Sequence, residues 1–81
     1  MFKNKSSDGL NNLCGRNVAK LRKAARPKMS QRALADKMQL AGIDVDKNAI
    51  QRIECGLRFV TDIELAALAE IFEVTPGELL E

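Results

Sequence analysis

The side chains that could carry chemistry are few. The chain contains no His, which removes the commonest general base and the commonest metal ligand. Two Cys stand at positions 14 and 55. That is too few for a disulfide framework, and neither has a second Cys or a His near it to complete a zinc site. They read as reduced thiols in a cytosolic protein, Cys14 as a small core residue and Cys55 as accessible. No nucleophile–base pair and no phosphate-cradling loop is visible, so an enzyme is the least favoured class, and no cofactor or metal is expected. What remains is one polar cluster. In the run KNAIQRIEC from Lys47 to Cys55, a helical wheel turns Ile50 and Ile53 inward. Asn48, Gln51, Arg52 and Cys55 lie opposite them, with Lys47 to one side in the first turn.

Charge gives that cluster a context. Residues 1–29 carry a net +7, residues 30–58 carry +1, and residues 59–81 hold six acids and no base. A basic pole favours a polyanion, because basic side chains release counterions from phosphates. The acidic end would repel the same polyanion and fix orientation, or face a partner protein.

The elements that must hold the cluster are short helices. With 81 residues and 46% AVILMFWYC, the chain is one small domain with a modest core, too small for a barrel enzyme or a doubly wound cofactor fold. Ala, Leu, Ile, Lys, Arg, Gln and Glu dominate, most of them helix formers or helix-tolerant. No apolar run approaches the roughly 18 residues of a membrane helix. The opening MFKNKSSDGLNN has no apolar segment of the signal-peptide kind. Residues 1–9 read as a mobile polar arm, and residues 10–81 as an all-α domain of five helices.

The first helix is predicted from Leu10 to near Arg26, with apolar residues at 10, 13, 14, 18, 21 and 25, and is ended by Pro27. Ser30 is the predicted cap of a second helix that buries Leu34, Ala35, Met38 and Ala41, with Gly42 just past its end. Asp46 caps the third, and Gly56 ends it. Thr61 and Glu64 form a capping box for a fourth helix that buries Leu65, Ala66, Leu68, Ala69 and Phe72. Thr75 and Glu78 form a second box, with Pro76 at the first helical position, for a last turn that ends in Leu79 and Leu80.

Taken together, Gln31, Leu34-Ala35, Ile50, Ile53-Glu54, Gly56, Leu65, Leu68-Ala69, Val74-Thr75 and Leu79-Leu80 resemble the helix-turn-helix family of phage Cro and repressor proteins, the xenobiotic-response-element type. The resemblance covers about residues 15–81. It implies a compact five-helix domain of the phage-repressor DNA-binding type, with the helix-turn-helix in helices two and three. Two connections, between helices one and two and between helices two and three, are longer here than in the commonest family pattern.

The resemblance also implies roles. Gln31 would touch a phosphate and brace a base-reading side chain. Lys47, Asn48 and Arg52 would read base edges in the major groove, Arg and Lys by donating to guanine and Asn by bonding adenine. Gln51 would reach a phosphate or base, and Arg58 a backbone or narrow minor groove. Glu54 would face inward and pair with Arg22, a structural role. The function implied is sequence-specific binding of double-stranded DNA by a bacterial or phage transcriptional regulator, a repressor that occupies an operator in the cytoplasm or nucleoid. The operator would be an inverted repeat bound by a homodimer, with Leu79-Leu80 or Phe59 at the contact between copies. One alternative is a protein-interaction module, such as the antitoxin of a toxin–antitoxin pair, that uses the acidic C-terminal helices. Another is a redox sensor using Cys14 and Cys55.

Overall fold

The computed structural model describes residues 11–81. The arm expected over 1–9 and the expected helical start at Leu10 lie outside the described residues. Within them, the regular structure is five helices and no strand: α1 Gly15–Ala24, α2 Gln31–Leu40, α3 Lys47–Glu54, α4 Asp62–Phe72 and α5 Pro76–Leu80. Among the described residues, no helix is long and apolar enough to cross a membrane.

Local chemistry sets most of these boundaries. The Ser30 hydroxyl accepts from the Ala33 N–H at 3.0 Å, and Asp46 Oδ1 accepts from the Ala49 N–H at 2.8 Å. Thr61 with Glu64, and Thr75 with Glu78, form complete capping boxes. Each satisfies donors that a helix start leaves open. Gly42, with φ +88°, follows α2 in the left-handed region that only glycine enters cheaply.

The first helix departs from expectation. It begins at Gly15, because Asn12 turns its side chain back on the chain: Asn12 Oδ1 accepts from the Gly15 N–H at 2.7 Å. Leu13, expected on the buried stripe, is left 43% exposed. The helix ends at Ala24, since Ala25 is already extended (ψ 147°) ahead of the cis Arg26–Pro27 peptide.

The core is assembled from all five helices: Cys14 and Val18 before and within α1, Leu34, Ala35 and Met38 of α2, Ile50 and Ile53 of α3, Leu65, Leu68 and Ala69 of α4, and Leu79 of α5. Val45, in the link read as a plain connector, is buried as well, and Ile43 packs against the core. Four expectations are corrected. Ala41 is exposed because α2 ends at Leu40 and leaves it as the cap residue, Ala66 is exposed on α4, and Phe72 is only half-buried, packed against the edge of the core. Leu79 is fully buried, so the C-terminal Leu pair is no exposed contact surface.

Candidate nucleic-acid interface

An eight-residue helix is marginal alone, so α3 depends on its anchors. Ile50 and Ile53 are fully buried. Burying each contributes about 1.5–3 kcal/mol, more than helix propensity supplies. With that face committed, Lys47, Asn48, Gln51 and Arg52 are all exposed. None makes a side-chain hydrogen bond or ion pair among the described residues. The structure therefore brings these four expected site residues together on one outward face.

Glu54 fixes where that face points. Arg22 of α1 donates from Nε to Glu54 Oε2 at 2.6 Å and from Nη2 to Oε1 at 3.0 Å. The side chains are 10% and 7% exposed. Arg22 Nη1 also donates to the Met29 carbonyl at 3.1 Å. The hydrogen bond to Glu54 outweighs the effect of burial and raises the Arg22 pKa further above its ordinary value. Gln31 Nε2 donates to Glu54 Oε1 at 3.0 Å. One carboxylate thus joins α1, α2 and α3. Gln31 is half-buried and braces Glu54, not one of the exposed side chains of α3.

Arg58 has a different environment from the one expected. Its Nη1 and Nη2 donate to Glu64 Oε1 and Oε2 at 2.9 and 3.0 Å, and its side chain is 32% exposed. Glu64 also accepts from the Thr61 N–H at 3.1 Å. Burial opposes ionisation of Glu64, but the bonds from Arg58 and Thr61 prevail and hold its carboxyl below the ordinary value. The Arg58 charge is matched inside the fold, which makes it a clamp between the end of α3 and the start of α4.

Beside the α3 face lies an open groove lined by Arg22, Lys28, Ser30, Gln31, Arg32 and Lys47. Lys28, Arg32 and Lys47 are exposed and form no ion pair among the described residues. The N-terminus of α2 opens into the same groove, and its uncapped N–H groups favour an anion. Lys28 and Arg32 were missed from sequence. Lys28 was signalled only by the basic excess of residues 1–29 and Arg32 by no charge excess, because the groove also takes Arg22 and Lys47 from segments apart in the chain.

Asn12 is a further residue that sequence reasoning missed. It is buried, and its Nδ2 donates to the carbonyls of Ile53 at 3.0 Å and Arg58 at 2.8 Å. Beside it, Gly15 lets α1 approach α3: a Cβ at this position would sit 2.2 Å from the Ile53 carbonyl oxygen. Asn17 Nδ2 holds the end of α5 through the Leu79 and Glu81 carbonyls at 2.8 and 2.9 Å. Of the two free thiols, Cys14 is buried and Cys55 exposed. Burial pushes the Cys14 pKa up to about 11. Among the described residues, no cluster of three or more His, Cys, Asp or Glu side chains could hold a metal ion. Comparison with protein-family models, curated proteins and solved structures finds no match to this chain.

Proposed function

We propose that the protein is a sequence-specific binder of double-stranded DNA, a transcriptional repressor that acts by occupying an operator without catalysis. In this reading α2 and α3 work as a helix-turn-helix. Lys47, Asn48 and Arg52 contact base edges in the major groove, with Gln51 beside them. Arg and Lys match guanine O6 and N7, and Asn matches adenine N6 and N7. Lys28, Arg32 and the N-terminus of α2 take a backbone phosphate, which positions the helix without reading sequence. The Arg22–Glu54–Gln31 network holds α3 at a fixed angle, and Arg58 serves that scaffold instead of the DNA. The observation that carries the proposal is the α3 face: four exposed, unpaired hydrogen-bonding side chains on a helix whose other side is fully buried.

Selection from a random pool of double-stranded DNA tests it. The expected result is enrichment of a defined sequence containing an inverted repeat, with binding that weakens steeply as salt rises. If no sequence is enriched and the weak binding that remains is the same for every duplex, the protein is not an operator-binding repressor.

A further inference from the structure

The outward face of α1 takes no part in the DNA contacts proposed above. Val18 and Arg22 turn the other side of this helix into the fold. At 3.6 residues per turn, Arg16, Lys20 and Lys23 fall within an arc of roughly 60° on the solvent side. All three are exposed, and none forms an ion pair or a side-chain hydrogen bond among the described residues. The helix, GRNVAKLRKA, contains no acid that could match them. Arg16 with Lys20 and Lys20 with Lys23 are like-charged neighbours one helical turn apart, a spacing at which like charges destabilise a helix. A stripe that repels itself gains from an anionic partner.

The place of the stripe says which anion. Its first residue, Arg16, shares a cavity with Cys55 and Gly56 at the C-terminal end of α3. Its last, Lys23, follows Arg22, which lines the groove of Lys28, Arg32 and Lys47 at the other end of α3. Bases therefore stand at both ends of the proposed reading helix and along α1, which packs against it. From Arg16 to Lys23 the helix rises about 10 Å, and one DNA strand sets a phosphate every ~3.4 Å of its axis. Three bases thus span about three successive phosphates. We propose that the α1 stripe holds the sugar–phosphate backbone of the same duplex where it flanks the base pairs read by α3. This inference rests on the DNA reading and adds a longer footprint to it.

Titration of the intact protein with two duplexes over a range of salt tests it. One duplex ends at the selected sequence, and the other extends it on both sides; mixed-sequence duplexes of the same two lengths serve if no sequence is enriched. The variant combines Arg16→Gln, Lys20→Gln and Lys23→Gln. On the extended duplex its Kd should rise about tenfold or more, and the slope of log K against log salt should become shallower by about 0.9 for each phosphate released. On the short duplex it should bind nearly as the parent does, with the same sequence preference. Its melting temperature should not fall, because the changes are on the surface and remove a repulsion. Unchanged affinity and slope on the extended duplex overturn the inference and leave the DNA reading standing. Equal losses on both lengths overturn it as well, because the stripe then acts through net charge and not on flanking backbone. A parent that binds no duplex overturns both readings together. A length-dependent loss without any enriched sequence supports the stripe and sinks the operator reading alone.

Discussion

At the residue scale the strongest commitments are ionic and steric. Removing one partner of the Arg22–Glu54 pair leaves a charge with little access to water, and such a loss can cost about 3–5 kcal/mol. Glu54→Ala is therefore expected to lower the melting temperature far more than Asp36→Ala, an exposed position on α2 where the change should stay within about 0.5 kcal/mol. Equal shifts in a thermal melt would mean that the pair contributes little. The Glu64 clamp makes a pH prediction. Its folded pKa lies below the ordinary value of 4.5, so it contributes stability at pH values above 4.5. That contribution is lost as pH falls through the lower folded value. Glu64→Gln should be less stable than the parent at neutral pH, and the gap in melting temperature should close as pH drops below about 4.5. At Gly15 the limit is space. Gly15→Ala must push α1 off the Ile53 carbonyl, an overpacking change expected to cost about 1–3 kcal/mol in denaturant titration.

At the element scale, the test of α3 separates reading from folding. Arg52→Ala should cost about 1–3 kcal/mol at one base pair and relax the preference there. Lys47→Ala and Asn48→Ala should do the same at neighbouring positions. Stability should move by less than about 0.5 kcal/mol in each case, since all three side chains are exposed. If the triple variant keeps the parent's sequence preference, α3 is not the reader. The helix caps were legible from sequence because capping is local: Ser30, Asp46, Thr61 and Thr75 each act within a few residues of themselves. The start of α1 was not, because it depends on Asn12 bonding Ile53 and Arg58, more than 40 residues away. The Arg58–Glu64 clamp escaped notice although its partners are six apart. They sit on either side of a loop whose path no periodicity reveals. The Arg22–Glu54 pair, by contrast, was expected only through the family resemblance, since nothing local links α1 to the end of α3. The end of α4 at Phe72 was legible too, as the close of the run DIELAALAEIF; what no glycine announced is the left-handed backbone of Glu73, with φ 57°, that follows it.

At the scale of the whole molecule, charge runs from a net +7 over residues 1–29 to −6 over residues 59–81. The groove lined by Lys28, Arg32 and Lys47 adds two bases from the middle of the chain to one from its basic start, while α4 and α5 carry acids and no base. If the protein binds DNA as proposed, the exposed bases Lys28, Arg32 and Lys47 favour an approach that presents the α3 face to the polyanion. Removing Lys28 and Arg32 together should weaken binding to all duplexes about equally. The slope of log K against log salt should become shallower by about 0.9 for each phosphate no longer neutralised. An unchanged slope would place the phosphates elsewhere.

The two thiols divide the molecule in a way an experimenter can exploit. Cys14 is sealed in the core with its pKa pushed up to about 11, so near neutral pH it offers almost no thiolate to a maleimide or iodoacetamide. Cys55 sits exposed at the end of α3. The natural sequence therefore accepts a single fluorophore at the rim of the proposed reading surface without any cysteine being added or removed. Such a dye would report the arrival of a duplex directly, as a change in its emission or tumbling.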